Sequence, residues 1–272
     1  MQAPFFSMAT ISFLGTGSGI PSEERFFSST LLHLEGTHLL VDAGEPCVHL
    51  LRERGDLLRE LDAVLITHGH VDHIGGLPAL LQGCMLQERT KPLSIYLPEE
   101  MIAPLRAWIR ALYLTEEGFG FPVNWNAWKD NTPEIIDEKI SIIPHASDHL
   151  KQCYRGLSGA DPSRPCASFS LEIRRDSFCA IFSGDLSSPQ ELLTWISKPL
   201  TVLVCELSHF SLEQLGAALQ ALLEKTSVET LCLVHLSEEY AREKSEVKIQ
   251  MEELLPSISN VFLPDDGEIL DF

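Results

Sequence analysis

The residues best equipped for chemistry stand together at Thr67-His68-Gly69-His70-Val71-Asp72-His73, where three imidazoles and a carboxylate fall within six positions. A divalent cation such as zinc takes nitrogen and oxygen donors that converge at about 2 Å, and a catalytic site keeps one position open. The chain has only ten histidines, so three of them in one turn is not a by-product of composition. Gly69 removes a side chain where its neighbours must aim at one point, and Gly75-Gly76-Leu77-Pro78 then opens a helix beside the cluster. The chemistry this predicts is metal-assisted hydrolysis.

Such a cluster has to be carried by the ends of buried strands. The apolar segment 63–67 reads as a strand running straight into it. Upstream, 10–14 reads as a strand ending in Gly15-Thr16-Gly17-Ser18-Gly19, and 29–34 with 38–41 as a hairpin turning at Glu35-Gly36. Segments 46–54, 77–88 and 98–113 read as helices, with a strand at 93–97. Downstream, strands are expected at 139–144, 167–173, 178–182, 201–205 and 230–234, with short closing strands at 261–263 and 268–271. Helices are expected at 189–197, 212–224 and 238–255. Two groups of strands with helices in each half predict an α/β (α+β) fold of two mixed β-sheets packed face to face, helices outside. No linker or low-complexity tract divides the chain, so a single domain over 1–272 is expected, with insertions near 115–133 and 151–165. The first carries Phe119, Phe121, Trp125 and Trp128. It reads as a surface insertion packed by its own aromatics, with a flap over the substrate as the alternative.

The cluster, with its leading Thr67 and trailing Gly-Gly-Leu-Pro, resembles the HxHxDH signature of the metallo-β-lactamase superfamily. That resemblance implies a four-layer αββα sandwich with the site at one edge of the sheets. It also implies that His68 and His70 bind a first metal and Asp72 and His73 a second, two divalent ions in all. The superfamily's bridging aspartate corresponds to Asp185 in Phe182-Ser183-Gly184-Asp185, and its last histidine to His235 in Leu233-Val234-His235-Leu236-Ser237. The third histidine of the first site is His149 or His145, and the wording Pro144 to Leu150 most resembles relatives that use the later one, His149. Asp42, in Val41-Asp42-Ala43-Gly44, resembles the element that orients a ligand histidine through its free ring nitrogen, with a plain strand-end turn as its alternative.

The opening, Phe13-Leu14-Gly15-Thr16-Gly17-Ser18-Gly19-Ile20-Pro21 with Arg25 and Ser28-Ser29, resembles the ribonuclease Z branch and its phosphodiesterase relatives. One departure concerns catalysis. Where ribonuclease Z has His-Glu-Ala-Thr, this chain reads Cys205-Glu206-Leu207-Ser208, and a histidine follows at His209. His209 held by Glu206 is a displaced proton donor or a packed polar pair. Asp72, His209 and Glu206 are therefore the catalytic candidates.

Composition narrows the partners. A formal charge of −19 favours solubility and works against polyanions such as nucleic acid or anionic lipid. The long glycine-rich basic arm with which ribonuclease Z holds transfer RNA is also missing. A phosphate substrate stays compatible, because two bound cations reverse the sign of the field where the reaction occurs. The seven cysteines form no CxxC pair and several sit in apolar runs, which predicts buried free thiols in a reducing compartment. The start, Met1-Gln2-Ala3-Pro4-Phe5-Phe6, has no basic region and no sustained apolar region, so a cytoplasmic protein without a membrane span is expected.

The combined expectation is a metal-dependent hydrolase, first a phosphodiesterase that attacks with a metal-bridging hydroxide in a binuclear site. Hydrolysis of a carboxyl ester, thioester or lactone is the alternative, followed by transfer-RNA 3′ processing and by a non-hydrolytic metal protein. Di-iron redox members carry glutamate where this chain has His70, which favours hydrolysis. Zinc is the first candidate metal, with manganese or iron compatible with the donor set. The sequence leaves a homodimer open.

Overall fold

A computed structural model of the protein describes residues 9–20, 22–55, 57–151 and 166–272. The expected insertion near 151–165, apart from Lys151, lies outside the described residues, as does Cys153. The first half supplies β1 (Ala9–Gly15), β2 (Ser29–Leu34), β3 (Thr37–Val41), β4 (Ala63–Leu65), β5 (Leu93–Leu97) and β6 (Val123–Ala127). The second supplies β7 (Glu134–Ile136), β8 (Ile140–Ser147), β9 (Ser168–Arg175), β10 (Phe178–Phe182), β11 (Leu200–Leu207), β12 (Val228–Leu236) and β13 (Asn260–Phe262), and then β14 (Ile269–Asp271). They form two mixed seven-stranded sheets, ordered β14-β1-β2-β3-β4-β5-β6 and β13-β12-β11-β10-β9-β8-β7.

Three apolar layers follow from strands that are apolar on both faces. In the β2–β3 hairpin, Leu31 pairs with Leu40 and Leu32 with Leu39. Leu32 and Leu39 point between the sheets, against Leu171, Ile173 and Phe182 of the other sheet. Leu31 and Leu40 point outward, onto the helices Cys47–Glu53 and Leu77–Leu86. The second sheet repeats the plan: Leu203, Leu231 and Leu233 pack on the helices Leu212–Leu223 and Lys244–Leu254. This is the four-layer αββα sandwich that the resemblance implied. Among the described residues, no helix is long and apolar enough to cross a membrane, and six cysteines are free thiols, five of them buried.

Several segments differ from the sequence reading. Segment 123–127 is an edge strand rather than irregular chain, because it pairs in parallel with β5. Within the same stretch, Phe119 and Phe121 belong to the outer core and Trp128 lies between the sheets. The short β7 forms by pairing with β8. The expected helix 238–255 is two helices, Glu238–Arg242 and Lys244–Leu254, broken where Glu243 leaves helical geometry at φ −100°, ψ 23°.

The layout collects chemistry at one edge. The chain after β3, β4, β10 and β12 emerges on the same side, and Thr16 ties to Leu236 there by a backbone hydrogen bond of 3.1 Å that joins the two sheets. Behind that edge, the guanidinium of Arg89, 1% exposed, donates to the carbonyls of Leu58, Arg59, Leu61, Lys91 and Pro92. All five of its donors are used, and the loop they fix leads into β4 and so into His68.

Candidate metal centre

Each donor is delivered by a strand end. β4 leads through Ile66 and Thr67 to His68, and a single turn, Val71–Ile74, carries Asp72 and His73 inward while Val71 faces solvent. At Gly69 a Cβ would stand 2.8 Å from Met101 Sδ, so glycine lets the Met101 side chain pack against the bend between His68 and His70. β8 leads to His149, β10 to Asp185 and β12 to His235. Gly184 has φ +55°, and a Cβ there would lie 2.8 Å from Phe169 O. Asp42 and His235 are themselves in the left-handed region, at φ +58° and +49°, a conformation that sits at functional sites when the surrounding structure enforces it.

These residues form two adjoining donor sets. His68 Nε2 lies 3.0 Å from His70 Nδ1, which lies 3.3 Å from His149 Nε2. Asp185 Oδ2 is 3.7 Å from His68 Nε2 and 3.5 Å from His149 Nε2. In the second set, His73 Nε2 and His235 Nε2 are 3.3 Å apart, and Asp72 Oδ2 is 3.5 and 3.3 Å from them. The other oxygen of the same aspartate, Asp185 Oδ1, is 3.3 Å from His73 Nε2 and 3.6 Å from His235 Nε2. Four ligands at zinc distances stand about 3.4 Å apart in a tetrahedron, a spacing approached by the first set and by the trio Asp72, His73 and His235 of the second.

The donor chemistry fits divalent cations as well as the spacing does. Asp185 is 2% exposed, yet its Oδ1 accepts no hydrogen bond among the described residues. An unsatisfied buried carboxylate oxygen is costly unless a cation meets it. Burial favours the neutral, metal-competent imidazole at His68, held well below the usual histidine value, at His70, and at His149, pushed down to about 4. Burial opposes ionisation of Asp185 too, but His235, His73 and His68 outweigh it and keep the carboxylate charged. At His73 burial is likewise outweighed, by Asp185 and Asp42, and the ring sits above its ordinary value.

The remaining sequence candidates resolve by position. His145 lies on β8 with Nδ1 2.9 Å from Asn131 Oδ1 and Nε2 3.3 Å from Glu172 Oε2, its ring stacked 3.9 Å from Trp195. Both nitrogens face away from the cluster, and His149 is the one brought to it. Asp42 accepts from His73 Nδ1 at 2.7 Å and from the Thr67 amide at 2.8 Å. Cys205 is fully buried in the outer core, and burial raises its thiol. His209 is one-third exposed, with Nδ1 2.9 Å from both oxygens of Glu206 and Nε2 3.9 Å from Asp185 Oδ2. Burial lowers His209, and the Glu206 carboxylate raises it further than that, to a net upward shift. Ser208, with a structural part in the centre, carried no signal beyond a hydroxyl next to a histidine, while Thr67 was legible only as the leading residue of the motif.

A cleft of about 460 Å³ opens beside His209 and His235, walled by Gly17, Ser18, Gly19 and Ser237. Its outer continuation is lined by Glu23, Glu24 and Glu238, the last ion-paired with Arg242 on the same wall. Arg25, which lines it too, is 5% exposed and its guanidinium is spent on Thr16, the Pro264 carbonyl and Asp265.

Comparison with known proteins gives consistent findings. The family model described as "Anti-Pycsar protein Apyc1" matches residues 9–253. The ribonuclease Z of Shouchella clausii is 27% identical over 303 aligned positions, covering 94% of this chain and 95% of that protein. Among solved structures, the metallo-β-lactamase fold protein YhfI of Bacillus subtilis superposes with a TM-score of 0.71 at 18% identity, over 97% of this chain and 99% of YhfI. The short form of human tRNase Z gives 0.69 at 19% identity, over 96% and 98%.

Proposed function

The chain belongs to the anti-Pycsar protein Apyc1 family, within the ribonuclease Z-like branch of the metallo-β-lactamase superfamily, and on that premise we propose that it is a metal-dependent phosphodiesterase acting on a small phosphodiester. The observation that carries this reading is one buried carboxylate, Asp185, shared between two donor sets, with the His209–Glu206 pair beside it. In this reading His68, His70, His149 and Asp185 hold one divalent ion, and Asp72, His73, His235 and Asp185 the other; zinc is the first candidate, and manganese or iron suit the same donors. When bound, such ions supply Lewis acidity and a nucleophile at neutral pH.

The side chains do the rest. Burial keeps three imidazoles neutral and ready to donate lone pairs, and Asp185 keeps the two sets adjacent. Glu206 holds the Nδ1 proton of His209 and favours the cationic ring, so Nε2 can protonate the leaving oxygen as the P–O bond breaks. The size of the cleft suits a small ester. The −19 charge and the acidic outer wall oppose a long polyanion, although the relatives named ribonuclease Z and tRNase Z make an RNA phosphodiester the competing substrate.

The test is a substrate profile of zinc- or manganese-loaded protein on bis-p-nitrophenyl phosphate, lactones, glutathione thioesters and a precursor transfer RNA. Turnover of the phosphodiester that a chelator abolishes and added metal restores is the expected result. Turnover confined to lactones or thioesters overturns the phosphodiesterase reading, and turnover confined to the RNA overturns the small-substrate part.

A further inference from the structure

Two buried carboxylates, one in each half of the sandwich, have the same pattern of contacts. Asp42 follows β3 and accepts directly from His73 Nδ1 at 2.7 Å. It also accepts from the Thr67 hydroxyl at 2.9 Å, and that hydroxyl lies 3.1 Å from His68 Nδ1. Glu206, on β11 and 1% exposed, accepts directly from His209 Nδ1 at 2.9 Å. It also accepts from the Ser208 hydroxyl at 3.1 Å, and that hydroxyl lies 2.8 Å from His235 Nδ1. Each carboxylate therefore holds one imidazole directly and a second through a hydroxyl.

On the metal-site reading the protons take one direction. His235 turns Nε2 toward Asp72 and His73, so the nitrogen that offers its lone pair to a cation is Nε2 and the ring proton stands on Nδ1. A carboxylate only accepts, so the Ser208 hydrogen points to Glu206 and Ser208 Oγ accepts from His235 Nδ1. Glu206 is anchored for this task by the amides of Leu186, at 2.8 Å, and of Ser208, at 3.0 Å. His235 itself stands one residue before the end of β12 in a left-handed conformation, its ring 5.1 Å from that of His73 and 5.6 Å from that of His209.

We propose that Ser208 is a positioning residue for His235, passing the hold of Glu206 to the ring and fixing its proton on Nδ1, as Thr67 does between Asp42 and His68. This rests on the metal-site reading above. Groups that fix a ligand histidine through its second nitrogen change metal affinity by about 10- to 100-fold when removed.

The experiment compares full-length protein with Ser208→Ala and Ser208→Thr. Zn²⁺ affinities are read by competition with a chromophoric chelator, and the melting temperature is taken metal-free. The unchanged protein should bind two ions. Ser208→Ala should lose about 10- to 100-fold in affinity for one of them while keeping the other, and its metal-free melting temperature should not move. Ser208→Thr, which keeps the hydroxyl, should restore the lost affinity. The proposal is overturned if Ser208→Ala binds both ions as before, if the threonine variant is as weak as the alanine one, or if the loss of affinity tracks a loss of metal-free stability. Protein that takes up no zinc overturns both this and the metal-site reading. Two bound ions without phosphodiester turnover overturn the function alone.

Discussion

Asp42→Asn separates the charge of the carboxylate from its shape. Asparagine tolerates the φ of +58° at this position, so the backbone after β3 is preserved. Its carbonyl oxygen can still accept from the Thr67 amide, as Asp42 Oδ1 does at 2.8 Å. Its amide nitrogen then replaces Oδ2 and faces His73 Nδ1, now 2.7 Å from an acceptor. Because His73 offers Nε2 to the cluster, Nδ1 bears a proton, and two donors meet. The loss is one charge-assisted hydrogen bond, about 1.5–3 kcal/mol, which corresponds to roughly a 10- to 100-fold fall in affinity for the second ion at 1.4 kcal/mol per decade. Asp42 also receives the Thr67 hydroxyl that backs His68, so the first ion should weaken too, by less. Thr67→Val, which leaves His73 untouched, should weaken the first ion only. Zinc affinities from chelator competition measure all three cases. Unchanged affinities in Asp42→Asn would refute the idea that this carboxylate sets the second position. Equal losses at both ions in Thr67→Val would refute the separation of the two paths.

Other consequences can be measured directly. His209→Ala should cost about 10²- to 10⁴-fold in kcat on phosphodiesters with alkoxide leaving groups and far less with p-nitrophenolate, which needs no proton; equal losses on both would contradict a proton-donor role. Arg89→Met takes the guanidinium from five carbonyls, those of Leu58 and Leu61 in buried contacts, and should destabilise by about 3–5 kcal/mol, at roughly 2–4 °C of melting temperature per kcal/mol, and an unmoved midpoint would show that those carbonyls find other donors. Glu172 is buried, which opposes ionisation, but His145 and Arg174 hold its carboxyl below the ordinary glutamate value. Its stabilisation is thus present above that ordinary value and is lost as pH falls through the depressed one. Glu172→Gln should therefore be less stable than the unchanged protein near neutrality, and the gap should close on acidification; a gap that widens instead would reverse the sign.

What could be read from sequence was what is local. His68 to His73 forms its half of the centre within a single turn, so spacing alone carried the information. Asp185 and His235 were legible only through the superfamily resemblance, which places a bridging aspartate and a last histidine behind apolar strands. The choice between His145 and His149 was not local. It depends on β8 continuing to Ser147, which pairs His145 with Ser170 and sends its ring onto Trp195, fifty residues away in the chain. The edge strands β6 and β7 were missed for a similar reason. Val123–Ala127 has one exposed and four partly buried residues and no clean alternation; its partner β5 makes it a strand. The split at Glu243 left no mark in composition, since the residues on both sides of it are ordinary helix formers.

The placement of negative charge ties the site to the whole molecule. A −19 chain gains nothing from more carboxylates in its interior, yet Asp42, Asp72, Asp185 and Glu206 are all 5% exposed or less. Among the described residues no lysine or arginine pairs with them; their close partners are histidines, hydroxyls and backbone amides. Imidazoles balance four buried carboxylates only when several are protonated, whereas burial drives His68, His70 and His149 toward the neutral form. Divalent cations resolve that conflict, since they cancel the carboxylate charge and use neutral imidazoles. The two left-handed residues, Asp42 and His235, belong to the same balance: such conformations cost of order 1–3 kcal/mol each, and each is enforced by a different sheet. The centre therefore depends on both sheets holding their register.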